Sequence, residues 1–108
     1  MARYLLIESR DPYESKSFGT RCDLAASLAR DGNETTVILV ENGVFAARSS
    51  GQIRELERTS RAGVSVIADE FALRERGIGA SDLAQWIKAV RLEELIVQMG
   101  MGARALWS

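Results

Sequence analysis

A β-branched run followed by a helical pattern constrains this sequence more than any other feature. Residues 63–78 read GVSVIADEFALRERGI. The apolar part, residues 64–68, is typical of a strand buried on both faces of a parallel sheet. Residues 71–76 have helical spacing and precede Gly77, a common helix stop. Asp69 therefore stands where a central strand ends and a helix begins. Ligands of open α/β sheets gather at this carboxyl edge, so we predict that function lies near Asp69.

Strand and helix patterns alternate along the rest of the chain. Strands are predicted over residues 4–7, 35–40, 86–89 and 104–107, and helices from residue 15 or 17 to 30 and over 44–48, 52–61 and 91–99. Asn42 can cap the short helix over 44–48, and Ser81 and Asp82 can cap one helical turn. Because parallel strands need long crossovers, this alternation predicts an α/β fold, with a five-stranded, mostly parallel sheet covered on both faces.

Composition excludes several classes of function. The chain has 108 residues, which predicts one domain over 1–108, and a net charge of −1, which does not favour nucleic acid or anionic membranes. It has no histidine and one cysteine, so zinc-enzyme spacing, a Ser-His or Cys-His pair and a cysteine metal cluster cannot arise within one chain. Glycine-rich nucleotide motifs are missing from the sequence. We therefore predict neither a metal nor a cofactor.

Two further features concern location and assembly. The longest apolar run in the first ten residues is YLLI, residues 4–7. Four residues are too few for a signal peptide or a membrane span. A cytoplasmic location is the resulting expectation. Lysine occurs only at Lys16 and Lys88, so arginine supplies most of the positive charge. Arginine favours planar pairing at partly buried interfaces, which predicts an assembly.

Asp69 has two interpretations that the sequence leaves open. It can cap the following helix by accepting a backbone N–H that would otherwise lack a partner. It can also act as a carboxylate on the ligand edge of the sheet, with Glu70 beside it. Other polar or turn residues follow the first and second strands, namely Ser9, Asp11, Asn42 and Gly43. Together with Asp69 and Glu70 they could line one polar notch, although turn and cap roles explain each residue taken singly.

Cys22 and Trp107 also have two interpretations each. Cys22 lies on the apolar stripe of the first helix, where a lone cysteine is usually a small buried hydrophobic residue. A reactive thiol would need its pKa lowered by cations or a helix N-terminus. Trp107 is either a cover for the edge of the core or part of a subunit contact.

Three motifs together resemble the DsrE/DsrF/TusD family of small sulfur-relay proteins. They are VENGVFAAR at residues 40–48, GVSVIA at residues 63–68 and LRERGI at residues 73–78, and a final short strand with an aromatic residue also fits. The resemblance covers essentially the whole chain. It implies a three-layer α/β/α fold and association into trimers or hexamers, of one chain or of related DsrE-, DsrF- and DsrH-type subunits. It also implies a sulfur-carrier protein as a partner.

The sulfur-carrying members of this family have a cysteine just after the central strand, where it takes up sulfur as a persulfide. In this sequence Asp69 stands at the matching position, and a carboxylate cannot form a persulfide. The resemblance therefore predicts a binding or structural subunit linked to sulfur trafficking rather than an enzyme. Two alternatives stay open: a sulfurtransferase or redox protein that uses Cys22 or a partner's thiol, and a small-ligand-binding protein that uses the notch of Ser9, Asn42 and Asp69.

Overall fold

The computed structural model describes residues 1–48, 53–99 and 102–108. Within these residues, five strands form one parallel sheet in the order β4-β3-β2-β1-β5. They are β1 (Arg3–Glu8), β2 (Glu34–Leu39), β3 (Ser65–Asp69), β4 (Lys88–Val90) and β5 (Arg104–Trp107). The α/β fold with a parallel five-stranded sheet that the sequence predicts is confirmed.

Helices cover the two faces of this sheet unequally. They are α1 (Phe18–Arg30), α2 (Ile53–Arg61), α3 (Glu70–Glu75) and α4 (Leu92–Met99), with 3-10 helices at Glu41–Ala47 and Ala80–Asp82. Side chains alternate between the two faces of a strand. One face packs against α1, α2, α3 and the first 3-10 helix, and we call it the three-helix face. The other packs against α4 and is called the one-helix face.

The apolar core is correspondingly larger on the three-helix face. Its strand residues include Leu6, Val37, Leu39, Val66 and Ala68. The buried cluster of the one-helix face is small and consists of Leu5, Ile7, Ile38, Val90 and Leu95. Within the described part of the chain, no helix is both long and apolar enough to cross a lipid bilayer.

The predicted elements are found with shifted bounds, and two predictions about them are wrong. The middle strand of the sheet is β2, whereas β3, predicted as the central strand, is second from the edge. Asn42 does not cap a helix that starts at residue 44: the 3-10 helix already begins at Glu41, and its N-cap residue is Val40. Glu41 has a positive φ of 48°, so the chain turns sharply at the end of β2, and Asn42 lies inside the first helical turn.

Smaller differences concern the bounds of individual elements. The strand predicted over residues 86–89 lies at Lys88–Val90, and the turn predicted at Ser81 and Asp82 is the second 3-10 helix. The helix predicted to start at residue 52 is described from Ile53, and both Gln52 and the Ile53 side chain lie outside the described residues. Leu56, predicted to point inward from that helix, is fully buried.

Candidate functional site

The carboxyl ends of β3 and β4 form the crevice where an open parallel sheet is expected to bind ligands. After β3 the chain enters α3, whose Ala72 and Leu73 pack on the three-helix face. After β4 the chain enters α4, whose Leu95 packs on the opposite face. Neighbouring strands whose connections leave in opposite directions leave an opening between them, and this is the usual ligand position in such sheets.

Asp69 lies at this opening and caps α3. It is the last residue of β3, in register with Val90 of β4. Its Oδ1 atom accepts a hydrogen bond of 3.2 Å from the backbone N–H of Phe71. The residue is 8% exposed. The capping interpretation is therefore confirmed.

Glu70 lies at the boundary between two surface hollows. Its Oε1 atom pairs with Nη2 of Arg74 at 2.8 Å, one helical turn away. On one side of this pair is an apolar cavity of about 240 Å³, which also contacts Leu73, Ile78, Leu83 and Ala89. On the other side is a more polar hollow of about 440 Å³, lined by Glu70, Phe71, Arg74, Arg91 and Glu93. Within the described residues, no group of His, Cys, Asp or Glu could hold a metal ion.

The polar side chains predicted at the ends of β1 and β2 each form a hydrogen bond with another residue of the chain. Ser9 donates hydrogen bonds from its backbone N–H and its Oγ atom to the backbone oxygen of Ser108, at 2.9 and 2.6 Å. Asp11 accepts a bond of 2.9 Å from the backbone N–H of Tyr13, and Asn42 accepts one of 3.0 Å from Nε of Arg76. Within the described residues, no hydrogen bond joins Ser9, Asn42 and Asp69, so their common notch stays a prediction.

At Gly43 the backbone of Glu8 occupies the space that a side chain would need. A Cβ atom built on this residue would lie 2.0 Å from the backbone oxygen of Glu8. The same oxygen accepts a hydrogen bond of 3.0 Å from the N–H of Val40. The first 3-10 helix therefore packs directly on the end of β1, and Gly43 has a packing role there.

Cys22 is buried in α1 and is 4% exposed. Burial raises the pKa of its thiol to about 12. A hydrogen bond with Thr59 opposes this rise, and the negative charges of three carboxylates add to it, namely those of Glu8, Glu55 and Asp23. A nucleophilic cysteine requires the opposite shift. The geometry thus disfavours the alternative in which Cys22 carries sulfur.

A partly buried ion pair next to Cys22 fastens β5 to the sheet. Nε of Arg21 lies 2.6 Å from Oε2 of Glu8, and Nη2 of Arg21 donates to the backbone oxygen of Leu106 at 2.6 Å. Burial raises the pKa of the Glu8 carboxyl, and Arg21 opposes that shift. Because β5 is anchored in this way, Trp107 has a fixed position on the one-helix face, where it is 61% exposed.

Sequence reasoning missed four residues of the crevice, Phe71, Arg74, Arg91 and Glu93. Phe71 is exposed in the first turn of α3, and Arg91 and Glu93 stand at the start of α4. The available signal was the second strand-to-helix junction at Val90. It was weak because β4 has only three residues, KAV, without a long β-branched run.

Comparison with known proteins establishes the fold. No protein-family profile and no curated protein matches the sequence. Solved structures do match over nearly the full length. The ychN protein from E. coli superimposes with a TM-score of 0.89 at 20% identity, covering 100% of both chains.

Two further structures, both described as proteins of unknown function, are similar. MTH1491 from Methanobacterium thermoautotrophicum matches with a TM-score of 0.77 at 18% identity, covering 100% of both chains. BT1422 from Bacteroides thetaiotaomicron matches with a TM-score of 0.81 at 16% identity, covering 98% of this chain and 94% of that one. This chain therefore has the fold of a group of small conserved α/β proteins.

Proposed function

We propose that this protein is an oligomeric, DsrE-like subunit that binds or organises partners in intracellular sulfur trafficking and does not itself carry sulfur. The proposal rests on the position of Asp69 and on the hydrogen bond that its carboxylate accepts. This residue stands where the DsrE-like cysteine is expected, and its carboxylate caps α3 through the N–H of Phe71. A carboxylate repels an approaching thiolate and cannot form a persulfide.

The surroundings of Asp69 support a binding role. Phe71 and Arg91 line the crevice beside it, and both are exposed. An aromatic ring and a guanidinium are side chains that recur in the centres of protein interfaces. The proposed partner is a sulfur-carrier protein that docks at this crevice, so that the subunit positions the partner rather than reacting with it.

The one-helix face supports the proposed assembly. Trp107 and Val97 are both 61% exposed. Trp107 belongs to this face of the sheet, and α4, which carries Val97, covers the same face. We propose a homo-oligomer, a trimer or hexamer, or an assembly with related DsrE-, DsrF- and DsrH-type subunits, in which this face is a contact.

A sulfur-loading experiment tests the non-catalytic role. The wild-type protein, Cys22→Ser and Asp69→Cys are incubated with sodium polysulfide, desalted and measured by intact-protein mass spectrometry. We expect Asp69→Cys to gain one sulfur atom and the wild type to gain none, because the wild-type thiol is buried with a raised pKa. Loss of the cap in Asp69→Cys is expected to lower the free energy of unfolding by about 1 kcal/mol, so its fold is checked by circular dichroism.

The opposite pattern would contradict the proposal. If the wild type accumulates a stable persulfide that is absent in Cys22→Ser, Cys22 carries sulfur and the protein is a sulfurtransferase. An Asp69→Cys variant that is folded but never gains sulfur would remove the argument that residue 69 matches the acceptor position of the DsrE-like proteins.

A small-ligand-binding role is the second candidate. It is favoured by the apolar cavity of about 240 Å³ beside the Glu70–Arg74 pair, because ligand sites are concave, mainly apolar and bordered by a few polar groups. The Leu83 side chain borders this cavity. A ligand that raises the melting temperature of the wild type but not of Leu83→Trp, in which the cavity is filled, would support this candidate.

A further inference from the structure

Cationic and aromatic side chains from the loop after β1, the first 3-10 helix and the C-terminal end of α3 form one surface. We call it the arginine–aromatic surface and define it by Tyr13, Phe45, Arg48 and Arg76. The guanidinium carbon of Arg48 lies 6.0 Å from the ring centroid of Tyr13 and 5.1 Å from that of Phe45. The guanidinium carbon of Arg76 lies 5.9 Å from the Phe45 centroid. Three separate segments of the chain therefore meet in one stacked array.

Hydrogen bonds to neutral oxygens orient both guanidinium groups. Nε of Arg76 donates to Oδ1 of Asn42 at 3.0 Å, and its Nη1 donates to the backbone oxygen of Ala72 at 3.2 Å. Nε of Arg48 donates to the backbone oxygen of Phe45 at 3.3 Å. These acceptors fix the side chains without neutralising their charge. Within the described residues, further N–H groups of each planar fork have no acceptor and can bind an anion.

The two residues differ from the other partly buried arginines. Within the described residues, four arginines are partly buried: Arg3, Arg21, Arg48 and Arg76. Arg3 pairs with Glu34 at 2.8 Å, and Arg21 pairs with Glu8 at 2.6 Å. In the part of the chain that is described, neither Arg48 nor Arg76 forms an ion pair. A partly desolvated charge is stabilised when an opposite charge reaches it.

We propose that the arginine–aromatic surface binds an acidic segment of a partner protein. Carboxylates of the segment pair with Arg48 and Arg76, and its apolar side chains pack on Tyr13 and Phe45. The argument for this class of partner is charge complementarity: two guanidiniums on separate residues around one ring match two spaced carboxylates. Aromatic residues and arginine are also enriched where proteins meet.

This inference goes beyond the proposed function. The surface uses none of the residues that line the β3–β4 crevice, namely Glu70, Phe71, Arg74, Arg91 and Glu93. It depends on neither the chemistry at Asp69 nor sulfur transfer. Its failure would therefore leave the proposed function untouched, and the reverse also holds.

Arginine side-chain NMR tests the inference on the wild-type protein. The ¹⁵N-labelled protein is titrated with a blocked synthetic peptide in which glutamates alternate with leucines, and the Nε–Hε signals of Arg48 and Arg76 are followed. The matched peptide carries glutamine in place of glutamate, and sodium tripolyphosphate serves as a small polyanion. We expect both signals to shift with the acidic peptide alone, and the affinity to fall as salt is added.

Variants locate the interaction. In Arg48→Gln/Arg76→Gln we expect the acidic peptide to bind about tenfold more weakly, since two charge-assisted contacts are lost. Arg30→Gln is the matched control, because Arg30 is exposed at the end of α1, and we expect less than about a twofold change. Arg48→Lys keeps the charge but not the planar fork, so it provides an intermediate affinity if the double variant does not fold.

Three results would overturn the inference. One is the lack of any shift in the wild type at millimolar acidic peptide. The second is equal weakening by Arg30→Gln, which would mean non-specific attraction. The third is a shift of both signals with tripolyphosphate but not with the acidic peptide, which would identify a small-anion site.

Discussion

The two faces of the sheet differ in how completely helices cover them. The three-helix face packs against α1, α2, α3 and a 3-10 helix, and its strand residues are buried. In the described part of the chain the one-helix face packs against α4 only, and Trp107 remains exposed on it. Since buried apolar area is the main favourable term in folding, we expect the first face to contribute more to the stability of the chain than the second. The second face is left available for contacts with other molecules.

The largest expected effect comes from the packing of the 3-10 helix on β1. In Gly43→Ala the new Cβ atom would lie 2.0 Å from the backbone oxygen of Glu8, so one of the two backbone segments has to shift. We expect the free energy of unfolding to fall by more than about 4 kcal/mol, measured by urea denaturation. The control is Gly19→Ala in α1, where no atom lies within 4 Å.

Gly19→Ala is expected to be neutral or stabilising by up to about 1 kcal/mol, because alanine favours helix more than glycine. Similar effects of the two substitutions would show that the 3-10 helix can move away from β1, and the three-helix face would then be less rigid than described.

A neighbouring pair of leucines in β1 compares the faces directly. Leu5 and Leu6 are both fully buried, and they point to the one-helix and three-helix faces respectively. We expect Leu6→Ala to lower the free energy of unfolding by about 4 kcal/mol and Leu5→Ala by about 3 kcal/mol. The reason is that α4 can shift toward the sheet and partly fill the cavity left by Leu5, whereas the helices around Leu6 also pack against one another. A larger loss for Leu5→Ala in urea denaturation would reverse our ranking of the two faces.

The smallest expected effect on the folded chain concerns Trp107. We expect Trp107→Ser to change the free energy of unfolding of the dilute protein by less than about 0.5 kcal/mol, because the side chain is mostly exposed. The same substitution should shift sedimentation velocity profiles toward the monomer, since an exposed tryptophan is a strong contact residue.

Leu24→Ser is the matched control for Trp107→Ser, because Leu24 is an exposed apolar residue on α1. It should leave the association state unchanged. If the wild type is already a clean monomer at micromolar concentration, the proposed oligomer is wrong and the exposed face needs a different partner.

Local sequence patterns predict most elements of this fold, but not their arrangement. The continuous β-branched runs of β2 and β3 identify these strands, and the change of periodicity at Asp69 locates the edge of the sheet. Strand order depends on which face each crossover takes, and no local pattern records that choice. This is why β3 was predicted to be central although β2 occupies that place.

The candidate sites show the same limit. The capping role of Asp69 follows from its own neighbours in sequence, so it could be predicted. The stacking of Arg48 and Arg76 on Phe45 brings together the first 3-10 helix and the C-terminal end of α3, and it depends on the packing of these two helices. Asn42 shows this limit too, because neither its place inside the first helical turn nor its partner, Arg76, follows from its neighbours in sequence.

The pairing of β1 with β5 has a consequence for synthesis on the ribosome. Residues 3–9 leave the ribosome well before their neighbours at 104–108, which accept the bonds from Ser9 to Ser108 and from Arg21 to Leu106. Until then one hydrogen-bonding edge of β1 is open next to the apolar Leu5, Leu6 and Ile7. Unpaired strand edges of this kind favour aggregation. We therefore expect nascent chains stalled before residue 104 to depend on chaperones more than the released protein does.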